Sequence, residues 1–477
     1  MKHLARILTV GSLITGLLLL AGGVLPYPSL SSLLNKLASD GQLESFSPAL
    51  HHALLPLLIL TGSLLTLLGV APVLFPKFSR RLWGGLGNQW RSLSSDNRAF
   101  FQAFSRAWPK GWQLIALGMI LLAGIFARVV YLQRPMGHDE AYTVMAFANT
   151  PLWNLLSDYH LPNNHIFHSL LVHLVIPIFG IPPWAVRLPA FLAGVLTIPV
   201  GYLFARKAYG LPTALPAAAA LALLPALFDY ATNARGYTLL ALFSLLSLTL
   251  ALYLKDHDNR LGWLLLVLVN ALGFWTLPIM LYPSGLTWLW LLGSALIGDA
   301  HIRPARMLQR LFIAGLTLVG LTALLYMPVF LRSGLGAVLN NPYVTSLTPA
   351  EFFATLPGRL DVTWQTWTSG LPGWLAALIV LGFSLSLIFH WQISRFRLPL
   401  HLTAAAWLAA EMLIALPDPQ TRYFIFLLPL LLIWAVAGLV KPLDKLRLRL
   451  RRFPLSHLLA GGMSFFFLVG GLLRILP

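Results

Sequence analysis

The chain is built on a series of long apolar runs, each about the length that crosses the hydrocarbon core of a bilayer. They fall near residues 5–25, 50–74, 112–132, 184–205, 212–230, 236–254, 261–279, 282–298, 310–331, 372–390, 398–416, 422–440 and 457–476. In lipid the backbone N–H and C=O groups of each run must be satisfied internally, and at this length that means a helix. The expected fold is therefore all-α and polytopic, with about thirteen transmembrane helices. Composition agrees: 10% of the residues are charged, where soluble domains carry about 25%. There is no cysteine, which excludes disulfides and thiolate chemistry.

The net charge of +18 does not point to nucleic acid, because the basic residues sit in short loops between apolar runs. With the N-terminus inside, next to Lys2 and Arg6, the inner segments hold 24 of the 33 Lys and Arg residues. The same segments hold only Asp96, Asp256, Asp258, Asp299 and Asp444 of the acids. This is the bias that sets the orientation of membrane proteins. It predicts a multi-pass protein of the plasma (inner) membrane, with a cytoplasmic N-terminus and an outer C-terminus. Residues 165–180 decide the register. The segment is apolar but short, and His165, His168 and His173 break it up. Counted as a span it would put Arg206-Lys207 outside, so it is read as a helix lying at the outer surface. Residues 139–183 then form one long outer loop.

Three parts follow. Residues 1–111 read as a two-span addition with a basic inner loop. Residues 112–440 form the core. Residues 441–477 form a second basic inner loop and the last helix. The first run follows Lys2 and Arg6 as a signal peptide would, but no small-x-small cleavage site follows it, so it reads as an uncleaved anchor. The alternation of Leu with Lys or Arg over 443–452 suits anionic lipid headgroups. Ala217–Ala220 reads as small-residue helix packing.

The outer loops collect the polar residues that chemistry needs, and ionisable groups at a membrane boundary default to function. Met136-Gly-His-Asp-Glu-Ala-Tyr142 places two adjacent carboxylates, Asp139 and Glu140, just past the run 112–132. A partly desolvated carboxylate there suits a general base toward a hydroxyl; Asp139 also suits a helix cap. Arg235 and Arg422 each open an apolar run on the same face, with Tyr237 and Tyr423 beside them. Arginine at a helix N-terminus suits a phosphate, although pairing of Arg235 with Asp229 is the simpler alternative. His138, Asn164 and His165 read as polar substrate contacts. With Asp139, the set His138, His160, His165 and His168 is compatible with a divalent metal, but the spacing does not require one, and no cofactor is demanded. Trp364, Trp367 and Trp374 suit an interfacial belt or stacking on a sugar. No phosphate-binding glycine loop and no serine-hydrolase elbow is present.

In order, Gly137-His-Asp-Glu-Ala-Tyr142, Pro162-Asn-Asn-His165, Trp184-Ala-Val-Arg-Leu-Pro189, Asn233-Ala-Arg-Gly-Tyr237 and Thr421-Arg-Tyr-Phe424 resemble the GT-C membrane glycosyltransferases. The closer likeness is to bacterial relatives of dolichyl-phosphate-mannose protein mannosyltransferase and of the lipid A aminoarabinose transferase. The resemblance covers roughly residues 112–440. It implies a GT-C fold, a polyprenyl-phosphate sugar as donor, and transfer at the periplasmic or extracellular face to a glycan, lipid or protein. It implies that Asp139 takes the essential acidic position, with Glu140 beside it, and that Arg235 and Arg422 meet the lipid phosphate or line the cavity. The first 75 or so residues have no counterpart in it. The lysine-proline-proline element of the aminoarabinose branch is replaced by Pro162-Asn-Asn-His165, which argues against that acceptor. Two other classes fit an outer polar face: a lipid-linked oligosaccharide polymerase or ligase, which would rest on arginines of the long outer loops, and a transporter, which would carry charges at mid-membrane depth.

Overall fold

The computed structural model describes residues 2–35, 46–74, 95–339, 346–418, 420–445, 449–450 and 453–454. It divides into two compact units, Met1–Ala99 and Phe100–Pro477. In the first, helices Lys2–Val24 and Pro48–Leu74 form an antiparallel hairpin. Small residues let them approach: Gly16 packs on Thr66, Gly69 on Leu13 and Gly62 on Leu20, as close helix pairs in membranes require.

In the second unit, Trp112–Val129 leads into a chain of short helices: His138–Thr143, a π-turn at Val144–Ala148, Leu152–Ser157, Ile166–Phe179 and Pro183–Val186. Ile166–Phe179 has 14 residues, about 21 Å of helix and less than the hydrocarbon thickness. The chain then runs through Leu188–Tyr209, Leu211–Leu223, Tyr237–Leu254, Arg260–Thr276, Leu281–Leu296, Pro304–Leu325, Gly373–Ile388, Leu400–Ala415 and Leu427–Lys445. Gly210, at φ +94°, supplies the left-handed turn that reverses the chain between two of these helices.

Tyr237–Leu254 is the centre of this unit: every residue in it except Leu246 is buried, as a helix apolar all round must be. Pro304–Leu325 lies at the periphery. Only Met307, Leu311, Ala314 and Leu318 are buried, a single stripe at i, i+4, i+7 and i+11 that faces its neighbours. Together these features make the chain an integral multi-pass membrane protein.

Two expected elements differ from the prediction. The run 212–230 is not one helix: Leu211–Leu223 and Pro225–Ala231 meet at 59°. Leu224 precedes a proline, which disfavours helical backbone, and sits at ψ 123°. Pro225 also has no N–H for the carbonyl of Leu221. The buried Arg128 Nη2 donates to that oxygen at 3.1 Å, and its Nη1 donates to Ala222 O at 2.7 Å, so the break and this intramembrane charge satisfy each other. The stretch 332–370, expected as an outer loop, is not a plain loop either. It holds helix Pro349–Thr368, which turns by 114° into Gly373–Ile388. Trp367 of that helix is buried, whereas Trp374 is half exposed. The expected last span 457–476 and the basic residues Lys77, Arg80, Arg81 and Arg91 lie outside the described residues.

Polar contacts gather at the two ends of the bundle. At one end Lys255 Nζ meets Asp299 Oδ2 at 2.7 Å, Arg395 meets Asp256 at 2.8 Å, and Arg310 meets Asp258 at 2.8 Å. The other end carries a cavity.

Candidate active site

Helix His138–Thr143 is the floor on which the site is assembled. Its first turn carries two carboxylates, and successive helical residues point about 100° apart, so the two face different partners. Glu140 turns inward and is 2% exposed. Its Oε1 and Oε2 accept from Arg187 Nε and Nη2 at 2.6 and 2.7 Å, a bidentate pair. Oε1 also accepts from Ala234 N–H at 2.8 Å, and Oε2 from Gly137 N–H at 3.3 Å. Arg187 gives its remaining protons to the carbonyls of Leu132, Arg134 and Pro135. This latch joins the end of the first core helix, the start of Leu188–Tyr209 and the 233–235 turn. It is Glu140, at the third helical position, that caps this helix; Asp139 does not.

Asp139 turns outward. Its Oδ2 lies 3.0 Å from Arg235 Nη1 and 3.3 Å from Arg422 Nη1, and His138 Nδ1 stands 3.7 Å from Oδ1. Partial burial alone would raise its pKa. The charge and hydrogen bond of Arg235, then the charge of Arg422, outweigh that and hold it below the usual carboxylate range. Asp229, the alternative partner for Arg235, pairs instead with Arg134 at 3.4 Å. Arg235 is 5% exposed and lies over the Tyr237 ring at 5.6 Å. Its buried Nε makes no hydrogen bond to a protein group, nor does Nε of Arg422.

These residues border a cavity of about 500 Å³. His138, Asp139, Arg235, Tyr237, Arg422 and Tyr423 all line it. They arrive from three places: the short helix His138–Thr143, the N-terminus of Tyr237–Leu254, and the short turn Thr421–Phe424 before Leu427–Lys445. Pro278 and Tyr282 close another wall.

Three expected site residues are not on this lining. Glu140 is spent on Arg187. Asn164 is buried and donates to the carbonyls of Leu155 and Asp158, which shapes the loop. His165 is fully buried, and its Nδ1 accepts from Gly236 N–H at 2.7 Å. That bond fixes the ring proton on Nε2, so the 3.4 Å approach of Arg235 Nη2 to Nε2 is packing. Burial first, then the Arg235 charge, push the His165 pKa well down, so it stays neutral and holds the turn that presents Arg235. Among the described residues no three His, Asp or Glu side chains converge as a metal site. Sequence reasoning did not single out Arg187 and Tyr142. Arg187 stood inside the quoted Trp184–Pro189 motif, but nothing local tied it to Glu140, 47 residues away.

A family model described as dolichyl-phosphate-mannose-protein mannosyltransferase matches residues 163–326. No curated protein matches the sequence. Among solved structures, ArnT from Cupriavidus metallidurans in the apo state is similar at 16% identity and a TM-score of 0.53, over 76% of this chain and 77% of that one. The same protein bound to undecaprenyl phosphate gives 16% identity and a TM-score of 0.51, over 77% of this chain and 71% of that one. The chain thus shares the fold of these ArnT structures.

Proposed function

We propose that the chain is a glycosyltransferase that moves a sugar from a polyprenyl-phosphate donor to a hydroxyl of a glycan, lipid or protein acceptor at the outer face of the membrane. The observation that carries this reading is the cluster over the cavity: one carboxylate bracketed by two arginines, one of them buried with unspent donors. Such donors suit a phosphate, which accepts several charge-assisted hydrogen bonds at once. The similarity to a fold seen with undecaprenyl phosphate supports the same ligand class, and the basic bias of the opposite loops supports the outer location.

The chemistry then follows from the residues. The acceptor oxygen bonds to the anomeric carbon, and the bond from that carbon to the phosphate oxygen breaks. The electron pair leaves with the polyprenyl phosphate, where Arg235 and Arg422 stabilise the charge. The acceptor proton passes to Asp139. While both arginines sit on Asp139 it is a weak base. A phosphate that shares those guanidiniums raises its basicity, so donor binding readies the base. Glu140 and Arg187 act as the frame that aims Asp139.

The test is transfer from a panel of polyprenyl-phosphate sugars in membranes carrying the wild type or Asp139→Asn. The variant is expected to insert and fold as the wild type does and to lose transfer. Turnover equal to the wild type would overturn the role of Asp139, and no transfer from any donor by the wild type would overturn the reading.

A further inference from the structure

The wall of the cavity next to Asp139 carries a hydrogen-bonded chain that the transfer chemistry does not use. Tyr142 lines the cavity, one helical turn after Asp139 and on the same face. Its Oη lies 2.9 Å from His160 Nε2. His160 Nδ1 lies 2.6 Å from Asp158 Oδ1, which also accepts from the His160 backbone N–H at 3.1 Å. Asp158 is held in turn. Asn164 Nδ2 donates to its carbonyl at 2.8 Å. Arg332 stands 3.9 Å from Oδ2 and is itself fixed by Asn154 and Ser157. The chain thus runs from a helix of the core, through two loop residues, to one hydroxyl on the cavity surface.

The polarity of the chain is set at its far end. A carboxylate only accepts, so Nδ1 carries a ring proton, and in the ring with that one proton Nε2 is an acceptor. The Tyr142 hydroxyl must then spend its proton on His160, and its oxygen lone pairs face the cavity. A fixed acceptor repels a phosphate oxygen and suits a hydroxyl donor. We infer that Tyr142 binds a ring hydroxyl of the donor sugar and takes part in sugar selection, with His160 and Asp158 as positioning residues. This rests on the polyprenyl-phosphate donor reading above. With the phosphate at Arg235 and Arg422, a pyranose on it extends toward the next side-chain position of the helix, roughly 5–6 Å away.

The experiment separates the sugar from the lipid phosphate. Full-length protein in nanodiscs is titrated with undecaprenyl phosphate and, separately, with its glucose, mannose and galactose conjugates. Tyr142→Phe keeps the ring against Phe147 and deletes only the hydroxyl. It is expected to weaken the best conjugate about 3- to 10-fold, the loss of one neutral hydrogen bond, and to leave bare undecaprenyl phosphate unchanged. His160→Phe, which keeps an aromatic ring near Phe147, should show the same selective loss. Arg422→Ala should weaken both ligand classes. If Tyr142→Phe changes both classes equally, or neither, the sugar contact is overturned while the donor reading stands. Selective loss in Tyr142→Phe but not in His160→Phe overturns the positioning role of His160. If the wild type binds none of the ligands, the donor reading falls and this inference falls with it.

Discussion

Replacing Glu140 by alanine should damage the fold more than the chemistry, and the structure supplies the magnitude. The substitution strands the guanidinium of Arg187, which is 2% exposed, and leaves the N–H groups of Ala234 and Gly137 without their acceptor. Removing one partner of a buried ion pair costs about 3–5 kcal/mol, because the other charge remains desolvated. Arg187→Ala should cost about the same. Glu140→Ala with Arg187→Ala removes both charges, so the double variant should cost far less than the two singles together. A coupling of about 2–3 kcal/mol is expected, near the top of the range for contacting residues. The assay is equilibrium unfolding in mixed micelles followed by tryptophan fluorescence, with the four proteins compared as a double-mutant cycle. A cost below about 1 kcal/mol for Glu140→Ala, or additive singles, would refute the latch. Transfer per folded molecule gives a second reading. Glu140→Gln should retain measurable turnover, whereas Asp139→Asn should not. Complete loss in a well-folded Glu140→Gln would return Glu140 to the catalytic role that its position beside Asp139 suggests.

Other outcomes follow from the same geometry. Asp139 has a depressed pKa in the folded state, so its ion pairs are fully formed above the ordinary Asp value of about 3.9. They fade only as pH falls through the lower folded value. Its carboxylate band, isolated by infrared difference against Asp139→Asn, should persist at pH 4. In Arg422→Ala it should titrate at higher pH, and a shift to lower pH would contradict the pairing. At the opposite end of the bundle, Asp299→Ala leaves Lys255 Nζ, fully buried, without its carboxylate. It should destabilise the fold by about 3–5 kcal/mol in the same unfolding assay, with Lys255→Met/Asp299→Ala less damaging than the single change. Gly438→Leu would drive a side chain into Gly382 and Ser386 of the neighbouring helix, so the yield of monodisperse protein after extraction should collapse, while Gly11→Leu, where a Cβ meets nothing, should be tolerated.

The apolar runs made the helical architecture legible because lipid leaves a backbone so few choices. The same rule says nothing about where a helix breaks inside the bundle. Leu224–Pro225 bends where Arg128, almost a hundred residues earlier, donates to the carbonyls that the break sets free, and no local pattern announces that partnership. The charge count grouped Asp139, Arg235 and Arg422 on one face from loop positions alone, and the structure brings them around one cavity. What the sequence could not separate was Asp139 from Glu140. Adjacent carboxylates look interchangeable along a chain, yet a helix turns the second about 100° from the first. One then meets a buried arginine from a distant loop and the other meets the cavity. His165 is a similar case: its motif is intact, but burial leaves it neutral and commits it to the Gly236 amide, so it shapes the site from behind.

That division explains how a mostly apolar bundle keeps a charged site aimed. Arg235, the buried guanidinium of the cavity, sits in the 233–237 turn, where no helix carries it. The turn is pinned from two sides, by Glu140 through Ala234 N–H and by His165 through Gly236 N–H. Both pins use side chains from the segment between Trp112–Val129 and Leu188–Tyr209, the segment that also supplies Asp139. The carboxylate and its arginine are therefore registered by one connected set of buried hydrogen bonds, of the kind that favours a single arrangement when every member is satisfied. If so, His165→Ala should misplace Arg235 without touching the cavity surface. The expected signature is weaker binding of undecaprenyl phosphate, with Asp139 losing its nearest cation and its carboxylate titrating at higher pH. Normal phosphate binding in a folded His165→Ala protein would show instead that the turn holds its shape without that pin.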